Sequence, residues 1–140
     1  MFIGEYSYSL DDKGRVAIPT KFRAALADGL VITRGLDGCL FIYSKKAWEK
    51  FVEKISTMPF SKQNARAFAR LMMAGAMDLV PDRQGRVVIP GYLRDYAKLK
   101  KEVVLAGVLE RLELWDAKSW NEYKKKTDSE ASNIAENLEL

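Results

Sequence analysis

The stretch Asp11-Asp12-Lys13-Gly14-Arg15-Val16-Ala17-Ile18-Pro19 returns 71 residues later as Asp82-Arg83-Gln84-Gly85-Arg86-Val87-Val88-Ile89-Pro90. The likeness outlasts the motif. Phe22 and Arg23 match Leu93 and Arg94. After one inserted residue, Gly35 matches Gly107, Leu40 matches Leu112, Ile42 matches Leu114, Tyr43 matches Trp115 and Trp48 matches Trp120. Residues 6–51 and 77–123 therefore read as two copies of one unit. At about 47 residues a copy is too short to expect a self-sufficient core without disulfides or metal. The copies are expected to share one core, packed face to face or with interleaved strands.

Within a copy the pattern is mainly β. Phe2, Tyr6, Tyr8 and Leu10 alternate with polar positions, the period of a half-buried strand. Asp11 to Gly14 predicts a tight turn, in which the Asp carboxylate caps backbone N–H groups and Gly accepts a positive φ. Arg15 to Ile18 predicts a second strand, ended by Pro19 at the head of a short helix bearing Phe22, Ala25 and Leu26. Leu30 to Thr33 and Cys39 to Tyr43 predict two more strands around the turn Gly35-Leu36-Asp37-Gly38. Ser44 then caps a helix carrying Trp48, Phe51, Val52 and Ile55. The second copy repeats the order, with Asp116 at the cap and Trp120 and Tyr123 on the apolar face.

The connector predicts a helix from Lys62 to about Met77, capped by Ser61, with Phe60, Ala65, Phe68, Leu71, Met72 and Gly75 on one side. Lys62, Arg66 and Arg70 form a basic ridge on another face, read either as a solvated helix surface or as a phosphate contact. The run from Leu71 to Met77 reads as core or subunit interface in preference to a ligand pocket. The expected organisation is a first unit at 1–53, a connecting helix at 54–76, a second unit at 77–125 and a disordered acidic tail at 126–140.

Composition narrows the chemistry. The chain has 140 residues with 23 Lys+Arg, 19 Asp+Glu, one cysteine and no histidine, for a net charge of +4. Without histidine there is no Ser-His-Asp or Cys-His nucleophile, no His-ligated zinc and no histidine general base. Cys39 has no intrachain partner, which makes a reducing cytoplasm the default. No apolar run approaches the roughly 18 residues a membrane span needs, and Met1-Phe2-Ile3-Gly4-Glu5 lacks signal-peptide character. The tail from Thr127 carries Asp128, Glu130, Glu136 and Glu139 and no base, so the first 126 residues carry a net +8. That balance suits a polyanionic partner.

Chemistry concentrates in the doubled turn. Asp11 and Arg15, like Asp82 and Arg86, lie across a tight turn, so one carboxylate can hold one guanidinium. Such a pair either pins the hairpin or presents an oriented arginine. An exposed ion pair contributes only about 0–1 kcal/mol, whereas an oriented guanidinium reads guanine O6 and N7 with about 1–3 kcal/mol of discrimination. Lys13, Lys21, Arg23, Arg83 and Arg94 are candidate phosphate contacts. On the residues alone, both readings stand.

The doubled motif LDDKGRVAIP / PDRQGRVVIP, preceded by Met1-Phe2-Ile3-Gly4, resembles the MraZ family of bacterial transcriptional regulators over roughly residues 1–125. The resemblance implies an α+β fold with a mainly β core. It implies two AbrB-like units interleaved into a pseudo-dimeric swapped-hairpin β-barrel with flanking helices, and chains closed into a homo-oligomeric ring. It also implies a cytoplasmic, nucleoid-associated regulator, usually a repressor, of the division and cell-wall gene cluster. Its partner would be double-stranded DNA carrying tandem short G-rich promoter repeats, with no cofactor, membrane or small-molecule substrate. On that transfer Arg15 and Arg86 contact DNA, with Lys13 beside Arg15, while Asp11, Gly14, Asp82 and Gly85 organise the turns. The second copy departs from the first, with Gln84 in place of Lys13 and Arg83 in place of Asp12, so the first is expected to contribute more. The apolar faces at 60–77 and around Trp48 and Trp120 are candidate subunit contacts. Two other readings stand beside this one. The first is an oligomeric protein-interaction module that ignores DNA. The weakest is a small enzyme using Asp11 and Asp12, because the sequence pairs them with neither a ligand pocket nor a Walker frame.

Overall fold

In the computed structural model, which describes residues 1–140, the first strand of each unit leaves that unit and pairs with the other. Strand β1 (Phe2–Ser9) and strand β2 (Arg15–Ala17) flank the first motif turn. A single 3-10 turn (Thr20–Phe22) runs into helix α1 (Arg23–Leu26), and β3 (Leu30–Arg34) and β4 (Leu40–Ser44) follow as a hairpin. Helices α2 (Lys45–Ser56) and α3 (Gln63–Ala74) lead into the second unit. That unit repeats the order: β5 (Met77–Leu79), β6 (Arg86–Val88), α4 (Gly91–Tyr96), β7 (Glu102–Leu109), β8 (Arg111–Asp116) and α5 (Ala117–Ser129). A last helix, α6 (Ala131–Asn137), ends the chain. No helix is long and apolar enough to cross a membrane.

Strand pairing carries the pseudo-twofold. β1 runs antiparallel to β7 from Phe2↔Leu109 to Ser9↔Glu102, and β5 runs antiparallel to β3 in the equivalent place. The two hairpins join through β4 and β8, with Ile42 opposite Leu112. This gives one six-stranded sheet in the order β1-β7-β8-β4-β3-β5, and β2 and β6 form a separate two-stranded ribbon. The expected closed barrel is replaced by this open sheet and ribbon. Each of β2 and β6 is three residues long, so the ribbon spends its hydrogen bonds on itself and on its own ends.

The sheet buries both faces. Leu30, Ile32, Leu40, Ile42, Val103, Leu105, Leu112 and Leu114 point to one side, where Val16, Ile18, Phe22, Leu26, Val87, Ile89 and Leu93 pack on them. Ten of the eighteen residues in this core come from the first unit and eight from the second, so neither unit has a core of its own. Phe41, Tyr43 and Trp115 point to the other side, under α2, α3 and α5. This alternation follows from the period of two along a strand. Trp48 and Trp120, expected as subunit contacts, pack within the chain on this second cluster, Trp48 against Tyr43 and Trp120 against Trp115. Leu71, Met72 and Met73 join them.

Three local expectations change. The tail is helical to Asn137, with α6 burying none of its residues. Its Ala131, Ile134, Ala135 and Leu138 recur at helical spacing, a pattern that the acidic composition masked. Ser44 does cap α2 by accepting from the Ala47 N–H at 3.2 Å, but Ser61 caps nothing: α3 starts after Lys62 without a side-chain cap. Asp116 sits at the N-cap of α5 yet accepts instead from the Lys100 N–H at 3.1 Å, because this buried carboxylate lies against the chain turning into β7.

Candidate nucleic-acid interface

Both motif turns are built by one aspartate. Asp11 Oδ1 accepts from the backbone N–H of Lys13 at 3.0 Å and of Arg15 at 2.8 Å, and Oδ2 accepts from Arg15 Nε at 2.5 Å. Asp82 repeats the pattern with Gln84 N–H at 2.9 Å, Arg86 N–H at 2.9 Å and Arg86 Nε at 2.9 Å. Backbone bonds close each loop, from Gly14 N–H to Asp11 carbonyl and from Gly85 N–H to Asp82 carbonyl, both 2.9 Å. Gly14 and Gly85 take φ of 76° and 74°, the left-handed region that glycine enters without a Cβ penalty. Hydrogen bonds to their charged form, led by the Arg15 and Arg86 backbone N–H groups, hold both Asp carboxyls below the usual range.

Engaging Nε has a geometric consequence. The aspartate takes the Nε of each guanidinium and leaves both Nη groups without a protein partner. These side chains are neither buried nor freely solvated, with 27% of Arg15 and 32% of Arg86 exposed.

The ribbon then brings the two arginines together. Arg15 faces Val88, Val16 faces Val87 and Ala17 faces Arg86. Val16 and Val87 point into the core, so Arg15, Ala17, Arg86 and Val88 share the outer face, with the arginines on its diagonal. Two crossed hydrogen bonds, Ile18 N–H to Gly85 carbonyl at 2.8 Å and Ile89 N–H to Gly14 carbonyl at 2.9 Å, tie each strand to the opposite turn. A two-stranded β-ribbon has the dimensions to enter a DNA major groove.

The remaining predicted residues fall into two groups. Lys13 and Arg83 are exposed on the turns themselves, and Lys21 is exposed nearby with its ammonium 5.7 Å from the Phe22 ring centroid. Exposed Arg23 and half-buried Arg94 pack on the turns: Arg23 against Gly85 of the other unit and Arg94 against Gly14. Arg23 Nε donates to the Ile18 carbonyl at 3.1 Å, while the buried Arg94 Nε has no partner. The basic ridge of α3 does not join this face. Phe68 and Met72 of α3 pack on the opposite side of the sheet from the ribbon.

Two lysines escaped the sequence reading. Lys100 and Lys101 line a shallow cleft with Asp11, Asp12, Gly14 and Arg94, and the Lys101 carbonyl accepts from the Leu10 N–H at 2.7 Å. The cleft beside the second turn is lined by Ile18, Arg23, Ala27, Pro81, Asp82, Arg83 and Gly85 and has no lysine. The signal for Lys100 and Lys101 was the repeat itself, since a swapped first strand carries the first turn to the loop before β7 and the second to the loop before β3. Cys39 is buried with its Sγ–H donating to the Leu36 carbonyl at 3.2 Å, and burial raises its thiol pKa, which removes it as a nucleophile.

The family model "MraZ protein" matches residues 1–71 and again residues 72–140, one match per unit. The chain belongs to the MraZ family. It is 47% identical over 139 residues to the transcriptional regulator MraZ of Caldanaerobacter subterraneus subsp. tengcongensis, covering 99% of this chain and 97% of that one. To the transcriptional regulators MraZ of Carboxydothermus hydrogenoformans and Pediococcus pentosaceus it is 49% identical over 138 residues, covering 99% of this chain and 96% of each relative. The two MraZ matches divide within the end of α3, so the family repeat coincides with the pseudo-twofold of the strands.

Proposed function

We propose that the chain is a DNA-binding transcriptional regulator without catalytic activity. In this reading it recognises tandem short G-rich promoter repeats ahead of the division and cell-wall gene cluster and represses it from the cytoplasm and nucleoid. The observation that carries the reading is the pair of aspartate-braced arginines, Arg15 and Arg86, on the one outer face of the β2–β6 ribbon. Each guanidinium keeps two Nη donors for guanine O6 and N7, and the brace removes the rotamer freedom that binding would otherwise have to freeze. Lys13, Arg83, Lys21, Lys100 and Lys101 supply phosphate contacts around them. Lys100 and Lys101 make the first turn the more basic in its surroundings and support its leading role. Arg23 and Arg94 support the turns from outside and add positive potential.

The crossed pairing of β1 with β7 and β5 with β3 supports reading each unit as an AbrB-like swapped hairpin, with units at 1–53 and 77–125 and the connector at 54–76. One chain offers two base-reading arginines, too few for tight specific binding. Several chains in a closed homo-oligomeric ring, meeting several repeats in register, raise the effective concentration of every later contact.

Light scattering on the purified protein, alone and with duplexes carrying one to four G-rich repeats, tests the reading. The expected result is a discrete oligomer that binds more tightly as repeats are added. A discrete oligomer that ignores DNA would instead make the chain a protein-interaction module.

A further inference from the structure

The side of the molecule opposite the ribbon carries an unfilled groove. Ile55 and Ser56 at the end of α2, Met58 and Phe60 in the link, and Ala65 and Ala69 on α3 line a hollow of about 310 Å³ rimmed by Arg66 and Arg70. Phe60 is 83% exposed, an unusual state for a phenylalanine beside an apolar cleft. Ala65 and Ala69 stand one turn apart, and their small side chains leave room for a helix to approach closely. Arg66 is fixed at the rim by donating to the carbonyls of Phe60 at 3.2 Å and Ser61 at 3.1 Å, and exposed Lys62 and Arg70 extend the charge.

Helix α6 has the complementary character. Ala131, Ile134, Ala135 and Leu138 fall at i, i+3, i+4 and i+7, a single apolar stripe. It buries none of its residues on its own chain, and Leu138 is 65% exposed. Glu130 and Glu139 bracket the stripe, Glu136 lies within it in sequence, and no base occurs after Lys126. In chain order α6 stands where α3 stands in the first unit. Whereas α3 sends Met72 into the core, α6 sends nothing.

We propose that α6 of one chain docks, apolar stripe down, into the α2–α3 groove of a second copy of this chain. Ile134 and Leu138 fill the hollow beside Phe60, and Glu130, Glu136 and Glu139 face Lys62, Arg66 and Arg70. This is helix-in-groove recognition with matched charge. Groove and tail are different surfaces, so the contact is head-to-tail and repeats from chain to chain until a ring closes. The inference rests on the ring reading above and supplies its joint. It also covers the α3 ridge with carboxylates, leaving the arginine ribbon as the main exposed cationic face.

The test is light scattering at one protein concentration on a tail variant (Ile134→Glu with Leu138→Glu), a groove variant (Phe60→Ser with Ala69→Glu) and their equimolar mixture. All four sites lie outside the fully buried core, and circular dichroism verifies that each variant folds. The wild type is expected to be a discrete oligomer and each variant alone a single chain. The mixture is expected to give one-to-one pairs, because one intact tail meets one intact groove and the series then stops. Variants that keep the wild-type mass would overturn the joint while leaving ring and DNA binding standing. A mixture that stays monomeric would overturn it too, placing the tail on its own groove or on another partner. A monomeric wild type would overturn the ring reading and the joint with it.

Discussion

Arg94 of the second unit packs directly against Gly14 of the first: a Cβ on Gly14 would stand 2.9 Å from Arg94 Nη1. Arg23 packs the same way against Gly85, where a Cβ would collide with Nε. Each motif turn is thus clamped from within by its own aspartate and from outside by an arginine of the other copy. Both glycines also hold φ near 75°. Gly14→Ala and Gly85→Ala should each destabilise the protein by about 1–3 kcal/mol, from left-handed strain plus displacement of the arginine. Denaturant melts measure this, and a change near zero would mean that the clamp yields freely.

The aspartates set a second expectation. Their pKa values are depressed in the fold, so the stability they contribute is fully present above the ordinary carboxylate pKa of about 3.9 and is lost as pH falls below it through the folded value. With no histidine in the chain, DNA binding should be flat across roughly pH 5 to 8. Thermal melts of Asp11→Asn with Asp82→Asn should lose part of the acid-side decline seen in the wild type. A wild-type midpoint that falls steeply between pH 5 and 6 would assign the transition to other groups.

Sharing of the core bears on the half-chains. Residues 1–75 alone keep ten of the eighteen residues of the main core but lose β7, the strand partner of β1, and β6, the partner of β2. That fragment should be unfolded as a monomer and should recover structure only by pairing with a second copy or with residues 76–140. Amide exchange and sizing read both states.

Charge around the first turn can be tuned in two directions. Lys100→Ala and Lys101→Ala should each weaken DNA binding evenly across sequences and lower the slope of log K against log salt by about 1. Asp12→Asn should raise affinity without changing the preferred sequence. Six to ten phosphate contacts per assembly would cost roughly 10³–10⁵ in affinity between 50 and 200 mM salt. Titrations at three salt concentrations measure all of these.

The repeat made much of this fold readable in the chain. Two units of identical grammar, each too small for its own core, imply one shared core, packed face to face or interleaved, and the pairing of β1 with β7 shows the strands cross between units. Arg15 and Arg86 were readable for the same reason. Lys100 and Lys101 were not, because their place beside Asp11 arises from β1 crossing to β7, 93 residues away at the Ser9↔Glu102 pair. The packing of Arg23 against Gly85 and of Arg94 against Gly14 also depended on that crossing, because each glycine belongs to the opposite unit. The tail was misread because its acids outweigh four apolar residues whose spacing is helical.

The most direct test is binding of a G-rich repeat duplex and a scrambled duplex at one fixed salt by the wild type, Arg15→Ala with Arg86→Ala, and Arg15→Lys with Arg86→Lys. Each braced arginine is worth about 1–3 kcal/mol at its guanine, or roughly 5- to 150-fold. The alanine variant should therefore lose its preference for the repeat while remaining folded. The lysine variant keeps the charge but not the fork, and should bind both duplexes to a similar, salt-sensitive extent. Undiminished preference for the repeat in the alanine variant would contradict the assignment of Arg15 and Arg86 as the residues that read DNA.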